Sequence, residues 1–375
     1  MKAYVYTDKS LERFAGRFVW LSVNTENAKN AAFLAKFKIP ALPTLLVLDE
    51  RGESIVLRYV GGATAGQLTK LLDDVRRKSG TTPDAVLAAA DKLAGEGKQK
   101  EAAAAYLAAL SNAPKGWSRF GRTAESYVLA LSSSGDNERC ATEARRLLPA
   151  QRRTVSGATL AAVGLGCAAA LDEKSSLRSD LLAALDTATR AAFDDAKLDI
   201  SADDRSGLYI SLIEARDAVK DAAGARKLRQ EWARFLEDAA ARARTPDQRT
   251  VYDSHRLSAY LGLETPEKAI AMLEQSERDF PDDYNPPARL AAAYRAMKKY
   301  DDAVAAADRA LSRAYGPRKL TIFRTKAEVL AAQGDKPAAR AALAEAVAYA
   351  HSLPAVQQRQ SVITALEKRS RELEE

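Results

Sequence analysis

The stretch Tyr300-Asp-Asp-Ala303, which Ala307 and Ala310 follow, decides the fold class of this 375-residue chain. Two similar stretches flank it, Thr265-Pro-Glu-Lys-Ala269 before it and Gly334-Asp-Lys-Pro-Ala-Ala339 after it. The matching alanines, Ala269, Ala303 and Ala339, are separated by 34 and 36 residues. Small side chains at a regular period let paired helices approach closely, so the pattern predicts tandem helical hairpins.

Another copy of the pattern begins at Gly97-Lys-Gln-Lys-Glu101-Ala102 and continues with Tyr106, Ala109 and Pro114. This order of residues resembles the tetratricopeptide repeat (TPR). The resemblance implies that residues 81–375 form a TPR-like helical repeat domain of six or seven hairpins. It also implies a protein or peptide partner. Helix breakers recur roughly every 12 to 20 residues, which disfavours the alternatives, a long coiled coil or a globular bundle.

The composition is that of a folded chain, with 47% hydrophobic and 29% charged residues. The net charge is +7, but Lys and Arg are interspersed with Asp and Glu. Because nucleic-acid binding needs a clustered basic face or a row of stacking aromatic residues, we expect no nucleic-acid partner. No apolar run approaches the ~20 residues that a membrane span requires. No secretory signal is recognisable after Met1.

The residue types that carry most enzymatic and metal chemistry are scarce. The chain has two cysteines, Cys140 and Cys167, and two histidines, His255 and His351. We therefore expect no metal site, no cofactor and no disulfide framework, and we expect both thiols to be small buried side chains. No phosphate loop, zinc-protease motif or catalytic triad is recognisable, so no catalytic residue is predicted.

The first 80 residues have a different pattern from the remainder. Short apolar runs predict strands at 18–23, 44–48 and 54–60. Helical spacing of apolar residues predicts helices at 26–37 and 64–78. The predicted order is therefore β–α–β–β–α, an α/β segment ahead of an otherwise all-α chain. Ser79-Gly-Thr-Thr-Pro83 is expected to link the two.

The sequence from Phe37-Lys-Ile-Pro-Ala-Leu-Pro43-Thr44 to Gly61-Gly62 resembles the thioredoxin family after its active site. The resemblance implies that Pro43 is the family's cis-proline and that Leu42, Pro43 and Thr44 contact an extended peptide. Residues 1–80 lack the family's Cys-x-x-Cys, so the chain as given has no dithiol chemistry. We interpret the segment as N-terminally truncated; the alternative is a domain that has lost its redox half.

Counting from the matched alanines places candidate binding residues on the first helix of each hairpin. Early in the array this helix would present Asp84 and Asp91. Late in the array it would present His255, Arg289, Arg295 and Arg324. A basic groove of this kind suits an acidic segment or a peptide C-terminus. The alternative is that these arginines are ordinary solvent-facing residues.

Together these features predict a non-catalytic TPR scaffold for protein–protein interaction with a redox-inactive thioredoxin-like segment. One alternative is a thiol-disulfide oxidoreductase whose Cys-x-x-Cys lies upstream of Met1. Another is a structural role in homo-oligomers. The Ala- and Arg-rich composition suggests a bacterial protein, of the cytoplasm or, if a signal peptide is missing, of the periplasm.

Overall fold

The computed structural model describes residue 1 and residues 3–39, 42–76 and 82–373. Contacts divide the chain into two compact units. Unit 1 comprises Met1–Phe18 and Lys38–Trp232, and unit 2 comprises Val19–Phe37 and Ala233–Glu375. Residues 19–37 thus belong with the C-terminal helices although both flanking segments belong to unit 1. The division into domains 1–80 and 81–375 does not coincide with these units, and it stays a prediction.

Helices dominate the described residues. In chain order they are α1 Ala31–Lys36, α2 Ala65–Arg76, α3 Thr82–Gly95, α4 Gln99–Ser111, α5 Phe120–Ser133, α6 Asn137–Leu147, α7 Val155–Ala169, α8 Arg178–Asp194, α9 Ala202–Ala218, α10 Ala222–Ala241, α11 Pro246–Thr250, α12 Asp253–Gly262, α13 Ile270–Asp279, α14 Asn285–Ala296, α15 Tyr300–Arg313, α16 Arg318–Gln333, α17 Lys336–Ser352 and α18 Gln360–Glu372. Short 3-10 turns lie at Lys9–Phe14, Ala28–Asn30, Leu148–Gln151, Pro266–Ala269 and Ala355–Gln357.

Unit 1 contains the sheet found in the described residues. β1, Thr44–Leu48, pairs antiparallel with β2, Ile55–Val60, so that Thr44 lies opposite Val60 and Leu48 opposite Ile55. The side chains of β2 and α2 share one apolar core, which includes Leu57, Tyr59, Leu68, Leu71 and Leu72. The predicted order of strand, strand and helix at 44–76 is therefore confirmed.

The predicted linker falls mostly on residues that the structure does not describe. The end of the helix predicted at 64–78 and the first three linker residues, Ser79-Gly-Thr81, lie outside the described ranges. The last two linker residues, Thr82 and Pro83, are the first residues of α3. Proline is well suited to the first turn of a helix, where its missing N–H has no partner to lose.

The strand predicted at 18–23 is wrong, since these residues form neither helix nor strand. Val19 and Leu21 are 89% and 78% exposed. Residues 19–23 belong to unit 2, whereas the described strands, β1 and β2, both belong to unit 1, so the described part of unit 2 offers no strand for this run to pair with. The helix predicted at 26–37 is reduced to a 3-10 turn and α1. The resemblance of residues 1–80 to a thioredoxin-like domain therefore stays a prediction.

The Leu42–Pro43 peptide bond is cis, as the resemblance implies. The carbonyl oxygen of Pro43 accepts a hydrogen bond from the amide of Gly61 at 2.9 Å, at the end of the β1–β2 ladder. Leu42 is 65% exposed. Thr44 opens β1. The contact of Leu42, Pro43 and Thr44 with a peptide stays a prediction.

The remainder of unit 1 consists of packed helical hairpins. α3 packs on α4, α4 on α5, α6 on α7 and α7 on α8. In α4, Ala102, Tyr106 and Ala109 are buried, as expected for positions that face a neighbouring helix. Gly97 and Gly135 lie in the inter-helix turns with positive φ, a conformation that glycine adopts without a steric penalty.

Cys140 of α6 and Cys167 of α7 form a disulfide, so the expectation of two free buried thiols is wrong. The two Cα atoms lie 6.1 Å apart because the helices pack along each other. Both side chains are buried, as expected. A separation of 27 residues carries no sign of this pairing in the sequence; only the hairpin geometry produces it.

Unit 2 contains the hairpins with the best sequence match. α14 packs on α15 and α16 on α17. Ala269, Ala303 and Ala339, the residues that define the period, are all fully buried. The turns before these alanines each contain a residue in the left-handed region, and these are Glu264, Lys298 and Gly334. The prediction of a mostly α chain built of tandem helical hairpins is therefore confirmed, and the finer assignment of these hairpins to the TPR stays a prediction.

Candidate functional site

Residues 24–27 form a turn that is held by the last hairpins of unit 2. Within the turn, Oδ1 of Asn24 accepts a hydrogen bond from the amide of Glu26 at 2.9 Å. The carboxylate of Glu26 accepts a hydrogen bond from the Tyr284 hydroxyl at 2.8 Å, and it lies 3.4 Å from Nε of Arg318. The Glu26 side chain is only 19% exposed, so the turn buries an acidic group against a phenol and a guanidinium.

The flanks of Glu26 are held as well. Gln357 donates from Nε2 to the carbonyl oxygen of Thr25 at 2.9 Å. Asn24 donates from Nδ2 to the Tyr315 hydroxyl at 2.8 Å. We call Tyr284, Tyr315, Arg318 and Gln357 the Glu26 site.

Local structure places these four residues together. Tyr284 precedes α14, Tyr315 lies in the α15–α16 turn, Arg318 begins α16, and Gln357 ends a 3-10 turn after α17. The rings of Tyr284 and Tyr315 meet edge to face with centroids 6.1 Å apart. Stacked hairpins repeat the same element ends side by side, so residues distant in sequence collect at one edge.

Gly316 lets the turn at 24–27 approach the backbone between α15 and α16. A Cβ at this position would lie 2.2 Å from the carbonyl oxygen of Glu26. Its φ of +62° also disfavours any residue with a side chain. Glycine is therefore required here by both the backbone conformation and the docked turn.

Burial controls the ionisation of the groups around this site. Desolvation raises the pKa of the Tyr284 phenol, and the hydrogen bond to Glu26 adds to the rise. Desolvation lowers the pKa of Arg289, against the opposing attraction of Asp253 and Asp283. Tyr284 therefore stays a neutral hydrogen-bond donor at physiological pH.

The four residues predicted to line a basic groove lie in different environments. Arg295 and Arg324 both pair with Glu328, the latter at 3.7 Å. Arg289 lies on α14, where the charges of Asp253 and Arg318 act on it. His255 is half-buried on α12. The role of these four residues as a binding groove stays a prediction.

The early acidic residues are part of a buried charge cluster in unit 1. Asp91 accepts two hydrogen bonds from Arg122, at 2.9 and 3.2 Å, and one from the Tyr106 hydroxyl at 2.8 Å. Asp84 pairs with Arg119 at 3.0 Å and accepts from Trp117 Nε1 at 2.9 Å. Both aspartates therefore hold neighbouring helices together in the structure.

A cavity of about 260 Å³ lies next to this cluster. We call it the Glu125 pocket; its lining includes Tyr59, Lys70, Trp117, Arg119, Phe120, Glu125 and Ser156. Glu125 is 3% exposed. Its Oε2 accepts from the Tyr59 hydroxyl at 3.2 Å, whereas Oε1 is buried with no hydrogen-bond partner among the described residues. Desolvation raises the pKa of Glu125, while Ser156, Tyr59 and Arg122 act in the opposite direction.

Metal clusters and membrane-spanning helices are both absent from the described residues. Residue 1 and residues 3–39, 42–76 and 82–373 contain no cluster of three His, Cys, Asp or Glu side chains that could hold a metal ion. No helix in those ranges combines the length and apolar character of a membrane span.

No protein-family model matches the chain, and no curated protein matches it. Among solved structures, the TPR2AB-domain:pHSP90 complex of yeast Sti1 aligns with 77% of this chain and 98% of that chain, at 14% identity and a TM-score of 0.27. The APC/C hetero-tetramer Cut9–Hcn1 aligns with 81% of this chain and 59% of that chain, at 15% identity and a TM-score of 0.27. The assignment of helical repeats depends on the buried alanines and packed hairpins of this chain.

Proposed function

We propose that this chain is a non-catalytic repeat protein that binds an acidic segment of a partner protein at the Glu26 site. One observation carries the proposal: the chain's own residues 24–27 occupy this site through a carboxylate, a backbone carbonyl and an amide side chain. A segment of another protein with the same groups would meet the same partners.

The chemistry of the site suits such a segment. A phenol and a guanidinium donate to one carboxylate, and hydrogen bonds to an ionised acceptor are stronger than those between neutral groups. Gln357 donates to a backbone carbonyl, which every peptide offers. The site therefore specifies one acidic residue and tolerates variation around it.

A partner has to compete with the chain's own segment. A tethered segment behaves like a ligand at an effective concentration in the millimolar range. A peptide that binds the Glu26 site weakly therefore cannot displace this segment. A partner must make more contacts with the protein than residues 24–27 do. Weakening the internal contact should open the site to a peptide added in solution.

The test uses a fluorescent peptide of residues 19–37 and the full-length protein, with binding measured by fluorescence anisotropy. The Glu26→Gln variant of the protein should bind the peptide more tightly than the wild type does. Adding Arg318→Gln to this variant should weaken peptide binding by about two- to fivefold, because the Arg318 side chain is 55% exposed and such a pair contributes about 1 kcal/mol or less. Arg371→Gln, at an exposed arginine of α18 outside both the Glu26 site and the predicted groove, is the matched control and should change nothing.

Two outcomes would contradict the proposal. One is that the peptide binds neither the wild type nor the Glu26→Gln variant at any concentration tested. The other is that Arg318→Gln and Arg371→Gln have equal effects on binding.

The thioredoxin-like origin of residues 1–80 is a further part of the proposal. The β1–β2–α2 order supports it. In this interpretation the segment is a remnant without dithiol chemistry, because both cysteines lie in α6 and α7 and are joined to each other.

A further inference from the structure

In the buried charge cluster of unit 1, the carboxylate of Glu125 and the guanidinium of Arg58 are both without an ion pair among the described residues. Among the described residues, Asp91 is paired with Arg122, and Asp74 and Asp84 are paired with Arg119. Glu125 has no ion pair within the described part of the chain, and its Oε1 has no hydrogen-bond partner there. Glu125 is 3% exposed, compared with 6% for Asp91.

We propose that the Glu125 pocket binds a primary ammonium group, which donates a hydrogen bond to Oε1 of Glu125. The group belongs to a small amine or to the side chain of a lysine. This site lies in unit 1 and is independent of the Glu26 site and of the function proposed for it.

The need for a donor follows from burial. A carboxylate without a partner in an apolar environment is costly, and it is stabilised by a cation that forms a hydrogen bond with it. Arg119 pairs with Asp74 and Asp84, and Arg122 donates from Nη1 and Nη2 to Asp91. The charge of Arg122 acts on Glu125, but no hydrogen bond joins the two among the described residues. Desolvation raises the pKa of Glu125 by more than Ser156, Tyr59 and the charge of Arg122 lower it.

The walls of the pocket suit the alkyl chain of an amine. Trp117, Phe120 and Leu71 contribute apolar surface, and Tyr59 donates to the other oxygen of the carboxyl group. A volume of about 260 Å³ is below the roughly 300–1,000 Å³ of sites for drug-sized ligands, so it fits a short aliphatic amine. Lys70 also lines the pocket, but it is exposed, so its charge is screened by water.

Gly121 allows the close helix packing beside the pocket. A Cβ at this position would lie 2.7 Å from Oγ of Ser156 and 2.8 Å from Oε1 of Gln151. The glycine lets α5 approach the start of α7 closely while both line the same cavity. The shape of the pocket is therefore fixed by the helix packing.

The experiment is a calorimetric titration of the full-length protein with n-butylammonium chloride. Butyltrimethylammonium keeps the charge but has no N–H, and 1-butanol keeps the alkyl chain without the charge. We expect n-butylammonium to bind at least about tenfold more tightly than either analogue, the value of a charge-assisted hydrogen bond. Glu125→Gln should remove this preference, and Glu138→Gln, an exposed glutamate on α6, should keep it.

A lysine derivative identifies the source of the ammonium group. Binding of Nα-acetyl-lysine methylamide, but not of its Nε-acetylated form, supports a lysine side chain; binding of n-butylammonium alone supports a small amine. Equal affinities of the wild type for n-butylammonium and butyltrimethylammonium would overturn the proposal, and so would the absence of any binding. The wild-type comparison decides the question even if Glu125→Gln does not fold.

Discussion

Replacing Asp91 by asparagine tests whether buried ion pairs hold the first helical hairpins of unit 1 together. Asp91 lies on α3 and is 6% exposed. Its carboxylate joins Tyr106 of α4 to Arg122 of α5, so three successive helices meet at one side chain. The substitution keeps the size of the side chain and removes its charge.

The expected loss follows from what the substitution leaves behind. The Arg122 side chain is 12% exposed, and in the variant its cation would remain buried without this counter-ion. Breaking a buried pair in this way costs about 3–5 kcal/mol. Since 1.36 kcal/mol is a factor of ten, the opening equilibrium of α3–α5 should rise by about two to four orders of magnitude.

Native-state hydrogen exchange followed by mass spectrometry measures this opening, because it reports on peptides from α3, α4 and α5 separately. Asp180→Asn is the matched control: Asp180 pairs with Arg145 on the surface, and such pairs contribute about 1 kcal/mol or less. The double variant Asp91→Leu/Arg122→Met should recover part of the loss, because it removes both charges of this pair but leaves the buried Arg58 without the attraction of Asp91. If Asp91→Asn and Asp180→Asn had equal effects, the buried pair would not stabilise the hairpins and the reasoning would be refuted.

Three other predictions concern unit 1. Cys140→Ala/Cys167→Ala should lower the free energy of unfolding, measured by urea titration, by about 3.5 kcal/mol, which is the entropy of closing a loop of 27 residues. The presence of two reactive thiols in the denatured, unreduced wild type would contradict the disulfide. Gly164→Ala should destabilise the protein by about 1–3 kcal/mol, because the new Cβ would lie 2.5 Å from Cβ of Ala144. In the same helix, a Cβ at Gly166 meets nothing within 4 Å, so Gly166→Ala should stabilise the protein by up to about 1 kcal/mol. Equal melting temperatures of the two variants would refute this packing. Burial raises the pKa of Glu125, so the native state binds this proton more tightly than the unfolded state does. The stability of the wild type relative to Glu125→Gln should therefore fall as pH rises from the ordinary glutamate pKa towards the raised one, and a pH-independent difference would argue against the shift.

The helical repeats could be predicted from sequence because their signal is local and periodic. Ala269, Ala303 and Ala339 each allow one close helix contact, and the same contact recurs in each hairpin. The prediction of a strand at 18–23 was wrong because strand formation depends on a pairing partner elsewhere in the chain and not on a local pattern alone. An apolar run forms a strand only when a neighbouring strand pairs with it, and the described strands belong to unit 1 whereas residues 19–23 belong to unit 2.

The candidate sites were harder to predict because they depend on contacts between distant residues. Glu26 and Tyr284 are 258 positions apart, and no motif marks either residue. Counting from the alanines could not identify Glu328 as a shared partner of Arg295 and Arg324. The unpartnered oxygen of Glu125 likewise becomes recognisable only when the surrounding ion pairs are assigned.

The placement of residues 19–37 in unit 2 has a consequence for synthesis on the ribosome. Glu26 is made 258 residues before Tyr284, its hydrogen-bond partner. At about 5–20 residues per second, this interval lasts roughly 13 to 52 s. Throughout it, the apolar side chains of α1, among them the buried Leu34, have no turn Ala355–Gln357 to pack against. They offer an apolar stretch to the chaperones that accompany nascent chains, and slow or interrupted translation should prolong that exposure.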